Sequence, residues 1–219
     1  MKTLKQLALL PLFFGLVLTT ACSENYDNGN GTDNGYYNGD ERPPFNRTIT
    51  AEVVNGNNYD DIISSVVAVV WPDSIYHIVA TGTWSNGGFT ITLPETINAD
   101  FLIPAPVAFA LGQFNISDTS ARFQEIYIYA YDDRLLGSIV YACFDVFVSS
   151  EEASLQVYIA YVDRDVTITG GTFREIYNLQ LRAGWNWVYR TTKMVEEARI
   201  VSIFSTEPIS GLRWYFQKH

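Results

Sequence analysis

From Arg47 onward, apolar and polar residues alternate with a period of two. The clearest runs are Ile49-Ala51-Val53, Val67-Val69-Trp71, Phe89-Ile91-Leu93, Ile126-Ile128-Ala130, Val140-Ala142-Phe144-Val146-Val148 and Leu155-Val157-Ile159. Further runs at Val166-Ile168, Leu179-Leu181 and Leu212-Trp214-Phe216 carry the pattern to the end of the chain. Short runs rich in Val, Ile, Thr, Tyr and Trp, separated by turn residues, predict strands with one face in a core. A turn of helix around Lys193 to Ala198 is the one helical expectation after residue 22. The expected fold class is all-β, an antiparallel β-sandwich architecture in two packed modules.

Three hairpins can be read in detail. In Trp84-Ser85-Asn86-Gly87-Gly88-Phe89, Asn-Gly sits where both central residues need positive φ. A turn there pairs Trp84 with Phe89, Gly82 with Ile91 and Ala80 with Leu93, and leaves Thr81, Thr83, Thr90 and Thr92 on the other face. At Arg182-Ala183-Gly184 a two-residue loop would put Trp185, Trp187 and Tyr189 beside Arg182, Gln180 and Asn178, a mixed face suited to sugars. A three-residue loop puts them beside Leu181, Leu179 and Tyr177, sorts apolar from polar better, and makes both tryptophans core.

The third hairpin carries Tyr127, Tyr129 and Tyr131. If Ile126, Ile128 and Ala130 share a face with Val140, Ala142, Phe144 and Val146, the opposite face holds those tyrosines with Tyr141, Cys143 and Phe147. Such a face needs either a covering layer, with the N-terminal module as lid, or a role as an exposed stacking platform. Covering is the expected outcome. On the platform reading, the candidate ligand-binding residues are Tyr127, Tyr129, Tyr131 and Tyr141.

Ahead of the strands the chain is organised differently. Lys2 and Lys5 precede an apolar run from Leu7 to Leu18, too short to span a bilayer, and then Thr19-Thr20-Ala21-Cys22. This stretch resembles a bacterial lipobox, which implies cleavage before Cys22 and its acylation. Several acyl chains at roughly 0.8 kcal/mol per buried methylene make a lasting anchor. From Ser23 to Asp40 the residues are almost all Ser, Glu, Asn, Asp, Gly, Thr and Tyr, the composition of a disordered tether. Cys22-Ser23-Glu24-Asn25-Tyr26-Asp27 resembles the acidic export signals of Bacteroidota surface lipoproteins, which implies an outer-membrane, lipid-anchored and surface-exposed location.

Ile49 through Leu93, with its Asn-Gly-Gly-Phe-Thr-Ile-Thr-Leu-Pro hairpin, resembles the start of a transthyretin-like (carboxypeptidase regulatory-like) β-sandwich. Tyr161 to Gly170 and Leu181 to Asn186 are similar to stretches of uncharacterised lipoproteins of gut Bacteroidales, which implies an all-β fold and no activity. The expected organisation is a signal peptide over 1–21, an acylated Cys and tether over 22–45, an N-terminal β module over 46–105 and a C-terminal antiparallel β module over 106–219.

Charge narrows the partners. Without Lys2 and Lys5 the 14 Lys and Arg fall to 12 against 24 Asp and Glu, a net charge of −12, which disfavours nucleic acid and anionic surfaces. With Cys22 acylated, Cys143 is expected to have no partner and to fill a strand interior, so the core holds by packing without a disulfide framework. The chain contains no Gly-x-Ser-x-Gly, His-Glu-x-x-His or phosphate-binding Gly loop. His77 reads as a solvated strand residue and His219 is terminal. Asp132-Asp133 and Asp163-Arg164-Asp165 read as turn residues rather than cation ligands. Asp145 and Glu125 are too little for a paired-carboxylate hydrolase. Neither a cofactor nor a bound metal is expected.

The expectation is a cell-envelope lipoprotein, not an enzyme, that recognises glycan or protein ligands. The alternatives are a structural or accessory subunit of an outer-membrane complex and, second, a carboxylate-dependent hydrolase.

Overall fold

The computed structural model describes residues 44–72, 74–143, 152–195 and 199–219. In these the chain is all-β with a sandwich-like arrangement. The strands are β1 (Thr48–Glu52), β2 (Ser65–Val70), β3 (His77–Ser85), β4 (Gly88–Thr92) and β5 (Ile103–Pro104). After one turn of helix, α1 (Ala105–Ala108), come β6 (Gln113–Ile116), β7 (Arg122–Asp132), β8 (Arg134–Cys143), β9 (Glu152–Val162) and β10 (Val166–Gly171). The last four are β11 (Glu175–Leu181), β12 (Gly184–Val195), β13 (Arg199–Ser205) and β14 (Arg213–Lys218). The helix expected around Lys193 is corrected: Lys193 to Val195 continue strand β12, and residues 196–198 lie outside the described ones.

The β3–β4 hairpin forms in the expected register, with Trp84 opposite Phe89 and Thr83 opposite Thr90. Asn86 and Gly87 take φ of 51° and 69°, the two positive values this turn requires. Trp84, Phe89, Ile91 and Leu93 are buried. On the opposite face hydroxyl pairs Thr48–Thr92 and Thr50–Thr90 meet at 3.0 Å each.

One sheet path runs β1-β4-β3-β2-β7-β8, with β14 added to the free side of β8. It then closes on itself. Val53 bridges Trp214 in parallel, and the Val54 amide donates to the Trp214 carbonyl at 2.9 Å. The Asn55 carboxamide donates to the Phe216 carbonyl at 2.8 Å and accepts from its amide at 2.9 Å, doing the work of a strand neighbour. Inside this ring Val66, Ala68, Val70, Ile91, Ile128 and Phe216 form the first core.

The second core lies on the other side of a wall made by β9, β12 and the first half of β7. That wall continues through β13, β11 and β10 to β6. Phe109, just after α1, draws the ends together, its ring 5.4 Å from Phe114 and Tyr177 and 5.5 Å from Phe123. Parity sorts the wall, because successive side chains of a strand point to opposite faces. Ile159, Tyr161 and Trp185 enter the first core, whereas Ala160, Val162 and Val188 enter the second. β2 pairs with β7, so the sheet crosses the module boundary expected at residue 105 without a break. The β11–β13 pairing is parallel, a departure from the antiparallel expectation.

Two hairpin expectations are corrected. β11 and β12 do not pair: β12 pairs with β9 and β13, and β11 with β10 and β13. Trp185 is nevertheless core, 6% exposed, but in the first core, while Leu179 and Leu181 lie in the second. Between β7 and β8 the register differs by one residue from the expected one, Ile128 facing Ile139 and Tyr129 facing Ser138. A shift of one residue exchanges faces. Tyr141 thus leaves the face of Tyr129, and Ala142 no longer shares that of Ile128. Cys143 is in the interior at 6% exposure, as expected, but it is disulfide-bonded, so the expectation of a thiol without a partner is corrected; its partner lies outside the described residues.

Candidate ligand-binding site

Tyr127, Tyr129 and Tyr131 share one face of β7, all half-buried. They stand opposite Val69, Val67 and Ser65 of β2. Val67 and Val69 are 1% and 0% exposed, and the half-buried tyrosines stand beside them across the β2–β7 pairing. The N-terminal module joins this strand edge to edge through β2 and reaches this face with Trp71. Each hydroxyl that can be followed has work in the fold. Trp71 donates to Tyr129, whose hydroxyl is shifted up by burial, and the His219 ring stands edge-on to Tyr129 at 5.8 Å. The Tyr127 hydroxyl donates to Glu125 at 2.6 Å, and burial holds its proton well above the usual phenol range.

Tyr141, the fourth candidate, belongs to a different surface. Its ring stacks on Trp214 at 4.8 Å and 19°, and stands 6.2 Å from Trp187. Trp214 meets Phe89 edge-on at 5.1 Å, and Trp187 meets Phe45 at 4.8 Å. A stripe of half-buried rings therefore runs across β14, β8 and β12. Cross-strand pairing produces it, since Trp214 faces Tyr141, Tyr141 faces Val157 and Val157 faces Tyr189.

A groove opens at each end of the stripe. One, of about 720 Å³, lies where β1 and β14 diverge from their bridge, with Tyr141 and Trp214 on its floor and Glu52 and Arg213 at its lip. The other, of about 380 Å³, is lined by Phe45, Trp187, Tyr189, Arg47, Glu95 and Arg182. Volumes of this size, with aromatic floors and a few charged groups, suit ligand recognition. Trp185 anchors the second groove from below, its indole N–H donating to the Pro94 carbonyl at 2.7 Å.

The remaining candidates are structural in their contacts. His77 stacks on Phe101 at 4.7 Å. The Asp163 carboxylate accepts from the Arg122 amide at 2.8 Å and from Arg164, which hold its pKa down despite burial. Asp165 accepts from the Ala183 amide at 2.8 Å, which ties its turn to the loop before β12 rather than to its own backbone. Among the described residues no three His, Cys, Asp or Glu side chains come together as a metal site. Cys22 and Asp145 lie outside the described residues.

Sequence reasoning missed a polar network at the edge of the second core. Glu125 is largely desolvated, which pushes its pKa up, and the Glu175 carboxylate across the interior pushes in the same direction. Arg190 reaches the Tyr158 hydroxyl at 2.9 Å and the Ser202 hydroxyl at 3.1 Å. Tyr177 donates to Glu175 at 3.3 Å and stacks on Phe204 at 4.4 Å. The β9–β12 and β12–β13 pairings bring Arg190 to Tyr158 and Ser202, and the parallel β11–β13 pairing adds Glu175 and Tyr177, so nothing local in the sequence announces the network. Trp214 and Glu52 were missed as site residues for the same reason: they meet through the closing of the ring.

Compared with known proteins, the chain matches no protein-family model, no curated protein and no solved structure.

Proposed function

We propose that this chain is a cell-envelope lipoprotein, anchored in the outer membrane through Cys22, that recognises a glycan or protein ligand at the cell surface without catalysis. The observation that carries the reading is the stacked Tyr141–Trp214 pair on the floor of a groove of about 720 Å³ with Glu52 and Arg213 at its lip. Half-buried rings at a groove present apolar area at little entropic cost, and flanking charges orient what stacks on them. Arg213 is exposed and has a role in neither core, so Arg213→Ala should leave the melting temperature unchanged. On glycan and peptide arrays probed with the mature protein, the same variant should lose capture by about tenfold, the worth of one charge-assisted hydrogen bond. Capture that is equal for Arg213→Ala and the parent would remove this groove as the site.

The anchor has a test of its own. A cysteine carrying a lipid thioether cannot enter a disulfide, and the chain holds two cysteines. Since Cys143 is disulfide-bonded, the lipoprotein reading requires its partner to be a cysteine of another molecule. Without reductant, membrane-extracted protein should run as a crosslinked species with acyl chains on Cys22, and Cys22→Ser should move the protein to the soluble fraction. An unacylated mass closed by an internal disulfide would overturn the lipoprotein reading.

A further inference from the structure

β1 presents an unpaired strand edge to the larger groove. In an antiparallel ladder the backbone groups of alternate residues turn toward the neighbour and those between turn away. On β1 the Arg47 carbonyl accepts from the Leu93 amide and the Val53 amide donates to the Gly87 carbonyl, each at 2.9 Å. The odd-numbered residues therefore face β4, and Thr48, Thr50 and Glu52 direct their N–H and C=O groups outward. Asn46 takes up the first of these, its side-chain oxygen accepting from the Thr48 amide at 3.1 Å. The next even residue beyond the strand, Val54, donates to Trp214 of β14. Between those two stops, among the described residues, no strand lies alongside Thr50, and β14 reaches only the carbonyl side of Glu52, at the Val53–Trp214 bridge, leaving the Glu52 amide open.

We infer that this edge is a docking site for an extended segment of a partner polypeptide, which pairs with β1 in line with β14 and lays alternate side chains on Tyr141 and Trp214. The inference rests on the recognition reading above and names its ligand class. Three observations point to a polypeptide rather than a sugar. The open groups repeat at the strand spacing that another backbone matches. β14 already docks on this side of β1 in the parallel sense, at Val53–Trp214, and stops at Arg213, so the groove continues its line. The edge also lacks the usual protection, since between Thr48 and Glu52 there is no Pro, Lys or bulge.

Charge and pattern narrow the partner. A chain of net charge −10, with Glu52 at the lip, favours a neutral or basic segment that is apolar at every second position. The chain's own residues 23–40 are polar and acidic and have no such alternation, which makes them poor occupants.

Proline at position 50 tests the edge cleanly, because it removes an outward N–H and none of the bonds to β4. Thr50→Ala, which keeps the N–H and loses the same hydroxyl, is the control. In the free mature protein the amides of Thr50 and Glu52 should exchange quickly and those of Ile49, Ala51 and Val53 slowly. Protection of Thr50 and Glu52 in the free protein would overturn the proposal, because the chain itself or a second copy would then fill the edge.

A random twelve-residue peptide library selected on the mature protein should return sequences of alternating apolar pattern. These should bind the parent and Thr50→Ala alike, lose about tenfold on Thr50→Pro, and slow exchange at Thr50 and Glu52. Peptides that bind Thr50→Pro as well as the parent, or no enriched peptide at all, would overturn it. Glycan capture at the groove without peptide capture would overturn this inference while leaving the recognition reading in place, whereas failure of both arrays and library would remove both.

Discussion

Around the first core the strands return on themselves, β14 coming back to β1, whereas around the second they stop at β6 and a loop phenylalanine spans the gap. The interiors differ accordingly. Polar groups that enter the first core are the tips of large rings and find partners at once, as when the Trp84 indole donates to Asp60 at 2.7 Å. The second core admits Glu125, Glu175 and Arg190 at its edge, each bonded to a tyrosine hydroxyl, of Tyr127, Tyr177 and Tyr158 respectively. Both draw on the same strands of the wall. A backbone closed by its own hydrogen bonds can enclose a purely apolar filling, while an opening closed by side chains brings in polar ones and the desolvation cost that comes with them.

Truncating the wall should show how far the two are one unit. Trp185→Ala removes a 6% exposed indole and its bond to Pro94, a loss of about 3–5 kcal/mol. Because β9 and β12 serve both cores, calorimetry should still show one transition, moved to lower temperature. Two separated transitions would mean that the wall does not couple them. Asn55→Ala acts on the closure of the first ring alone. It leaves the Phe216 amide and carbonyl without their partner, for about 1–3 kcal/mol, and should speed exchange of that amide while leaving the second core's amides protected.

The smallest effect belongs to the second core and is one of pH. The folded pKa of Glu125 lies above its ordinary value of 4.5. Its contribution to stability is therefore full below pH 4.5 and is lost as the pH rises through the raised folded value. Glu125→Gln stays neutral and can still accept from Tyr127. The variant should gain stability relative to the parent as pH rises across that window, and melting curves at stepped pH would show it. A difference that does not change with pH would mean that Glu125 is as well solvated folded as unfolded.

Much of the fold could be read from local pattern. The Asn86-Gly87 turn needs only its two residues and their neighbours, and the threonine ladder follows from that register. What escaped was set by distant partners. The tyrosine face depended on whether Ile128 meets Ile139 or its neighbour, and the register shift between Ala130 and Tyr131 decides that beyond the reach of alternation. The reading of Gly184 as a hairpin turn failed although the residue has φ of +94°: the chain turns there but leaves for β9 rather than returning along β11. Trp185 was legible as core because its own size and alternation place it, but which core it fills was not. The groove could not be foreseen, since Glu52 and Arg213 are 161 residues apart and meet only when the ring closes.

The entry of the chain into the fold also has a mechanical consequence. Phe45 rests on Trp187, and three residues later Thr48 begins β1. Any tension on the N-terminal segment first tears at that ring contact and then passes along the axis of β1. There it loads the five residue pairs from Thr48–Thr92 to Glu52–Gly88 in shear, all together, instead of unzipping them singly. A polypeptide held on the outer edge of the same strand would share that load path, so that traction between it and the N-terminal segment would run through residues 44–52 and leave both cores out of the line of force.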